Sequence, residues 1–304
     1  MREALLLEVG AILLPKGTLQ LQPGFEYSYI SSSRVAISGL TILNAIIIGL
    51  IEVDSLRRDI LTGSLTARYG LLDRLQLDVR IPYVYRKDEE ILGVGTADVR
   101  ERTTSNNGLG DIDASLLWQA LIGRGAVPDA ILRVEGTFPT GEDPFEIPLE
   151  PVRAGERRLT RPATGTGFYG VGPGLTLVWR SDPVVFSTGI KYTFNLPRNV
   201  GATVGGNYGE IDPGDTLEWV VGLTLSVSER VAINLSFVDR IVGNTTQNEV
   251  EVRGSSFNDG RLVLGTSIGL SSDITLLVSA AIGLTTASPD FQFTVSLPIA
   301  FKLF

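Results

Sequence analysis

Three polar breaks, Asp73-Arg74, Ser228-Glu229-Arg230 and Ser272-Asp273, each separate two runs of alternating apolar and polar residues. Around the first, Leu61, Leu65, Ala67 and Tyr69 lead in, and Leu75, Leu77, Val79, Ile81 and Tyr83 lead out. Thr62, Ser64, Thr66 and Arg68, then Gln76, Asp78 and Arg80, lie between them. A period of two puts the two sets on opposite faces of paired strands. A soluble sandwich alternates as well, but its charged side chains rarely run so far along long hairpins. An apolar exterior around a charged interior is the pattern of a transmembrane β-barrel.

The same reading continues to the C-terminus. It predicts an all-β chain of twelve antiparallel strands: Thr18–Ser31, Asp59–Gly70, Leu75–Arg86, Leu109–Leu121, Asp129–Phe138, Gly165–Arg180, Val184–Leu196, Asp215–Val227, Val231–Val242, Arg261–Leu270, Ile274–Thr285 and Asp290–Phe304. Short turns alternate with long loops (Ser32–Arg58, Lys87–Gly108, Pro139–Thr164, Pro197–Gly214 and Gly243–Gly260), as periplasmic turns and extracellular loops do. Both termini then fall at the periplasmic end. Residues 17–304 are assigned to the barrel and 1–16 to a short helical segment, in which Arg2–Leu14 is the helix and Pro15 ends it. Glu3, Leu5, Leu6 and Glu8 on that segment are the candidates for a plug at the pore mouth or inside it.

Composition fits. Hydrophobic residues make up 43% and mean hydropathy is +0.20, between soluble and helical membrane proteins, because only alternate strand residues meet lipid. The chain has no cysteine and no histidine, which removes disulfides, thiolate metal sites and a Ser-His-Asp triad. No metal, no cofactor and no enzymatic activity are expected. A net charge of −8 and a pI near 4.8 argue against nucleic acid as a partner. Val35–Ile51 is apolar, but Ser38, Gly39, Thr41, Asn44 and Gly49 dilute it and it falls short of a helical span, so it is read as strand-forming. The first residues hold no export signal, and a leader removed on export is expected.

Two motifs carry alternative chemistry. Gly165-Thr166-Gly167-Phe168-Tyr169-Gly170 has the spacing of a dinucleotide fingerprint, but Val171-Gly172-Pro173-Gly174 follows where a helix is needed, so the glycines are read as bends in a barrel strand. Asp111 and Asp113, two residues apart, could be an acid and base pair, a calcium site or part of a lumen ion-pair ladder. The ladder is favoured, because Glu26, Arg68, Asp78, Arg80, Arg133, Glu135, Lys191 and Glu218 share the inward register and complete the set of lumen candidates. Sixteen aromatic residues, among them Phe25, Tyr83, Tyr85, Trp118, Trp179 and Trp219, are expected mostly on the outward register near strand ends.

Several stretches resemble a known family. Ile12–Leu19, Ala67–Gly70 with Arg74-Leu75, Arg80–Arg86, Gly108–Ile112, Gly165–Phe168, Ser181–Pro183 and Asp212–Asp215 are similar to the secretion channels of the Fap functional-amyloid system. The broader family includes transporters assigned to a meta-pathway of phenol degradation. The resemblance implies a Gram-negative outer-membrane, homotrimeric, twelve-stranded barrel that passes unfolded amyloid subunits, with a periplasmic coiled coil and a helical plug before the barrel. This chain departs from that pattern, since the coiled coil is absent and only Arg2–Leu14 could represent the end of the plug. Secretion of amyloid subunits through a polar lumen is the leading expectation. Uptake of small aromatic or hydrophobic compounds is the alternative, with Val35–Ile51 in its favour.

Overall fold

The computed structural model describes residues 13–37, 40–42, 46–48, 51–92, 99–153, 156–203 and 206–303. Glu3, Leu5, Leu6 and Glu8 lie outside them, as does the proposed helix up to residue 12. The described residues contain no helix, and Leu13 and Leu14, placed at the end of that helix by sequence, are irregular backbone.

Twelve antiparallel staves close into a barrel. They are β1 (Thr18–Ile37), β2 (Ile51–Leu72), β3 (Leu75–Leu92), β4 (Arg100–Leu109, resuming as Ile112–Leu121), β5 (Asp129–Phe138) and β6 (Gly170–Ser181). They continue as β7 (Val184–Asn195), β8 (Thr216–Ser226), β9 (Val231–Val242), β10 (Phe257–Gly269), β11 (Thr275–Gly283) and β12 (Phe291–Ser296, resuming as Ile299–Lys302). Each pairs with its neighbours in chain order, and β12 returns to β1 from Gly24↔Ser296 to Tyr29↔Phe291 and from Thr18↔Lys302 to Leu21↔Ile299. Closure leaves no free edge, which a spanning sheet requires where lipid offers no hydrogen bonds. Pro298 sits in the gap of β12, where its carbonyl accepts the Thr275 N–H at 3.1 Å and its missing donor is not needed.

The polar breaks form the turns. In Ser228–Arg230 the Ser228 hydroxyl accepts the N–H groups of Arg230 and Val231, at 3.2 and 3.1 Å. Ser271 repeats the arrangement with Asp273 and Ile274, at 3.3 and 3.1 Å. A serine at the first turn position therefore satisfies donors that the ladder leaves over.

Three expectations are corrected. The hairpins run past the expected ends: β1 and β2 stay paired from Ser31↔Arg57 to Ile37↔Ile51, and β2 and β3 from Asp59↔Lys87 to Ser55↔Ile91, so much of Ser32–Arg58 and Lys87–Gly108 is strand. Above the membrane the outward face meets water and needs no apolar residue, so the polarity ceases to alternate while the hydrogen bonds continue and Arg58 and Asp88 stay buried on the inward face. Next, Gly165 does not open a strand, because β6 begins at Gly170 and the glycines before it form a loop bend. Finally, Asp111 is in the break of β4 rather than on a continuous strand face beside Asp113.

The barrel is apolar outside. Leu65, Leu77, Ile81, Leu132, Val134, Leu223, Leu235 and Leu264 are exposed, as are Phe25, Tyr83, Tyr85, Trp118, Tyr192, Phe194, Trp219 and Phe301. Rings meet across strands, Trp179 with Phe186 at 5.4 Å and Trp219 with Phe237 at 6.0 Å. Such surface costs too much in water and marks the lipid face.

Candidate functional site: the barrel lumen

The register opposite the exposed apolar rows carries the polar and charged side chains, so the candidate site is the lumen. Its inner end has an asymmetric floor. The chain crosses the start of β1 at Pro15-Lys16-Gly17, held by Gly17 N–H on the Gly70 carbonyl at 2.9 Å, and turns inward. The Leu14 N–H then donates to the Gln76 side-chain carbonyl at 2.8 Å, and Leu13 packs against Leu117 and Ile131. Both leucines are buried, Leu14 to 1% exposure. Gly70 must be bare here, since a Cβ on it would lie 2.1 Å from the Pro15 carbonyl oxygen. The opposite wall is left open. It lines a cavity of about 340 Å³ with small polar residues, including Ser187, Thr224, Asn234, Ser236 and Ser279.

Above this floor runs a belt of charge. From β2 onward it reads Arg68, Asp78 and Arg80, Asp113, Arg133 and Glu135, Lys191, Glu218, Arg240, Asp259 and Arg261, and ends with Glu26 on β1. The sign alternates at every step. Arg68 lies 3.7 Å from Asp78, Arg80 3.7 Å from Asp113, and Arg133 3.4 Å from Glu135. Lys191 reaches Glu135 at 2.9 Å and Glu218 at 3.8 Å, and Arg240 reaches Glu218 at 2.9 Å. The long reach from Lys191 to Glu135 is possible because the stave between them, β6, presents Gly172 and Gly174 to the lumen. Arg261 pairs with Asp259 and donates to Gln292 at 2.7 Å. Within a closed wall such pairs keep side chains flat against the strands and the bore free.

The outer mouth is roofed by a packed segment, residues 139–153 and 156–169, which holds the paired strands Leu149–Arg153 and Glu156–Leu159. Its core is dry: Phe145, Ile147 and Phe168 are buried, with Phe145 edge-on to Phe168 at 5.8 Å and to Tyr208 at 5.4 Å. Asp111 staples this cap to the barrel. One carboxylate oxygen accepts the Gly141 N–H at 3.1 Å, and the other accepts the Thr166 N–H and hydroxyl, each at 2.7 Å. Gly141 and Gly165 are needed for that approach: a Cβ on Gly165 would sit 2.5 Å from an Asp111 oxygen, and one on Gly141 2.5 Å from the Gly165 Cα. Between cap and belt lies a cavity of about 550 Å³. Ile60, Pro82 and Val84 form its apolar flank, Thr164 and Thr166 its roof, and Glu26, Arg80, Arg240 and Arg261 its charged side.

A second anchor of the cap is titratable. Glu142 accepts from Arg161 at 2.5 and 3.2 Å and from the Asn106 amide at 2.5 Å. The Arg161 hydrogen bond outweighs partial burial, and with Asn106 it holds the Glu142 carboxyl below the usual glutamate value. A depressed pKa contributes stability above the unfolded value of about 4.3, and that contribution is lost as pH falls through the folded value. Protection of the cap against an acid protease should therefore hold down to about pH 4.5 and decline below it, a step that Glu142→Gln makes smaller. A decline of equal size in Glu142→Gln would count against the anchor.

The structure brings Glu26, Arg68, Asp78, Arg80, Asp113, Arg133, Glu135, Lys191 and Glu218 together on the inward register, while Asp111 is committed to the cap. Sequence reading missed Arg240, Asp259 and Arg261, although Arg240 shares a face with Asn234 and Ser236 in a strand it had placed. It also missed the buried cluster at the outer end of β2 and β3, where Asp88 accepts from Arg58 at 3.0 and 3.1 Å and from Arg86 at 2.9 and 2.6 Å. Arg58 and Asp88 lie on the strand extensions, and Arg86 is the last residue of the strand predicted from sequence.

Residues 43–301 match the family model described as "Putative MetA-pathway of phenol degradation". Among solved structures, the chain is similar to an outer-membrane channel from Pseudomonas putida F1, with a TM-score of 0.67 at 13% identity, covering 96% of this chain and 98% of that one. The translocator domain of the autotransporter NalP from Neisseria meningitidis gives 0.51 at 9% identity, covering 99% and 93%. At these identities the likeness is one of fold: a multi-pass β-barrel of the outer membrane.

Proposed function

The chain belongs to the phenol-degradation MetA-pathway family, and from that premise we propose that it is an outer-membrane channel for uptake of small aromatic or hydrophobic compounds. One observation supports this most directly. The cavity of about 550 Å³ between cap and charge belt has the size of a small-molecule site, and it sets the apolar flank of Ile60, Pro82 and Val84 beside polar groups. A molecule with an apolar body and a polar substituent suits both sides. A path inward continues along the hydroxyl-lined wall opposite Leu13 and Leu14. The family description names phenol degradation, an aromatic catabolism, which needs its substrates brought across the outer membrane.

Secretion of unfolded amyloid subunits, by a trimer, is the second reading. The inward turn of Leu13 and Leu14 favours it, because this is where a plug ahead of the barrel would sit. Against it stand the two constrictions, since an extended chain needs a bore open at both ends. Initial uptake of labelled phenol or toluene by cells with and without the channel, at micromolar concentration, separates the readings. Faster uptake with the channel is expected. Equal rates, together with stepwise block of the ion current by an unfolded amyloid-repeat peptide, would move the assignment to secretion.

A further inference from the structure

The belt leaves two hydrogen-bonding capacities unused, and both open into the cavity of about 550 Å³. Among the described residues no donor bonds to the Glu26 carboxylate, whose charge acts on the Arg261 guanidinium. Arg80 has Asp113 at 3.7 Å as its ion-pair partner, and its side chain is 40% exposed. Elsewhere in the belt the groups are engaged with one another, as Lys191 is with Glu135 and Glu218.

Resting on the uptake reading, we infer that this cavity selects neutral, hydroxyl-bearing molecules over either ion, with Glu26 and Arg80 as the specificity-determining pair. Strict alternation of sign cancels the field along the lumen axis within a few ångströms, so neither cations nor anions are concentrated there. What remains is one acceptor and one donor. A hydroxyl satisfies both, donating its hydrogen to Glu26 and accepting from the Arg80 guanidinium. A carboxylate would gain Arg80, Arg240 and Arg261 but meet the like charges of Glu26, Asp111 and Asp113. An ammonium group would gain those three carboxylates but meet the three guanidinium groups. Each ion meets as many like charges in the lining as opposite ones, whereas the neutral group meets no repulsion.

The test uses the full chain in proteoliposomes and three labelled probes of one size that lipid does not pass: glucose, gluconate and protonated glucosamine. Wild type should admit glucose about fivefold or more faster than either ion, a preference set by like-charge repulsion. Its reversal potential in a tenfold potassium chloride gradient should stay near zero. Glu26→Gln should raise gluconate above glucosamine and move the reversal potential toward chloride. Arg80→Gln should do the opposite, and the double substitution should restore the ion balance. Correct folding is checked by heat-modifiable migration of each variant. Either ion matching glucose in wild type, or an order indifferent to both substitutions, overturns the inference. The whole-cell aromatic assay stands apart from these probes. Aromatic uptake without charge discrimination defeats only the selectivity, and discrimination without aromatic uptake defeats only the uptake reading.

Discussion

Asp111→Ala should release the extracellular cap and leave the barrel intact. The wild-type carboxylate receives three hydrogen bonds, from the Gly141 N–H and from the N–H and hydroxyl of Thr166. Hydrogen bonds to a charged acceptor contribute about 1.5–3 kcal/mol each, so losing all three, with some compensation by water, should cost about 3–5 kcal/mol of cap docking. That is a shift of more than about a hundredfold in the ratio of closed to open cap. Trypsin cleavage after Arg158, buried in the cap and followed by Leu159, should accelerate by that order if opening is fast relative to cleavage. The barrel has its own closed ladder and should keep its heat-modifiable migration. Gly165→Val should reproduce the release by a different route, since its side chain would collide with Asp111 and Gly141. Unchanged cleavage in both variants would mean that Phe145, Ile147 and Phe168 hold the cap without the staple.

The second large effect concerns the inner end. Leu13→Ala with Leu14→Ala should undock the segment before β1 and raise single-channel conductance. Each is a buried leucine, and Leu→Ala in a packed site costs about 2–5 kcal/mol. One such loss shifts docked against undocked more than about tenfold, and the pair further. Gly70→Val tests the same contact from the wall, because even a Cβ there would overlap the Pro15 carbonyl and crowd that of Leu14, 2.7 Å away. It should expel Leu13–Pro15 while leaving both leucines in the sequence. If conductance rises in the leucine variant and in Gly70→Val, the floor is a removable constriction. If it rises in neither, the open wall lined by Ser187, Thr224 and Asn234 already carries the current.

How far the site could be read in advance differs from residue to residue. Arg68 was legible because it alternates with Ala67 and Tyr69, and Asp78 and Arg80 because they alternate with Leu77, Val79 and Ile81, inside the membrane where each second position must be apolar. Asp113 and Glu135 followed by the same rule. Asp111 did not, since Gly110-Asp111 interrupts β4 and turns the carboxylate to the cap, and nothing in a local pattern tells a break from a strand. Arg58 and Asp88 were hidden because their outward neighbours Arg57, Asp59, Lys87 and Glu89 are polar too, so no apolar row marks the register although both stay buried on the inward face. Leu13 and Leu14 looked like the end of a helix stopped by Pro15, and only their contacts with Gln76, Leu117 and Ile131 place them in the lumen.

The sequence by itself determined the all-β class, the strand order, the turns and the face each spanning residue presents. These follow from a period of two and from the requirement that lipid meet apolar side chains and that no backbone group stay unpaired. Only the tertiary structure decided which charges meet, that their signs alternate around the wall, and that the bore is narrowed from both ends. Those outcomes depend on the stagger between staves, on Gly172 and Gly174 letting Lys191 reach Glu135, and on loops far apart in sequence packing around Phe145. They are long-range contacts, and a local period carries no record of them.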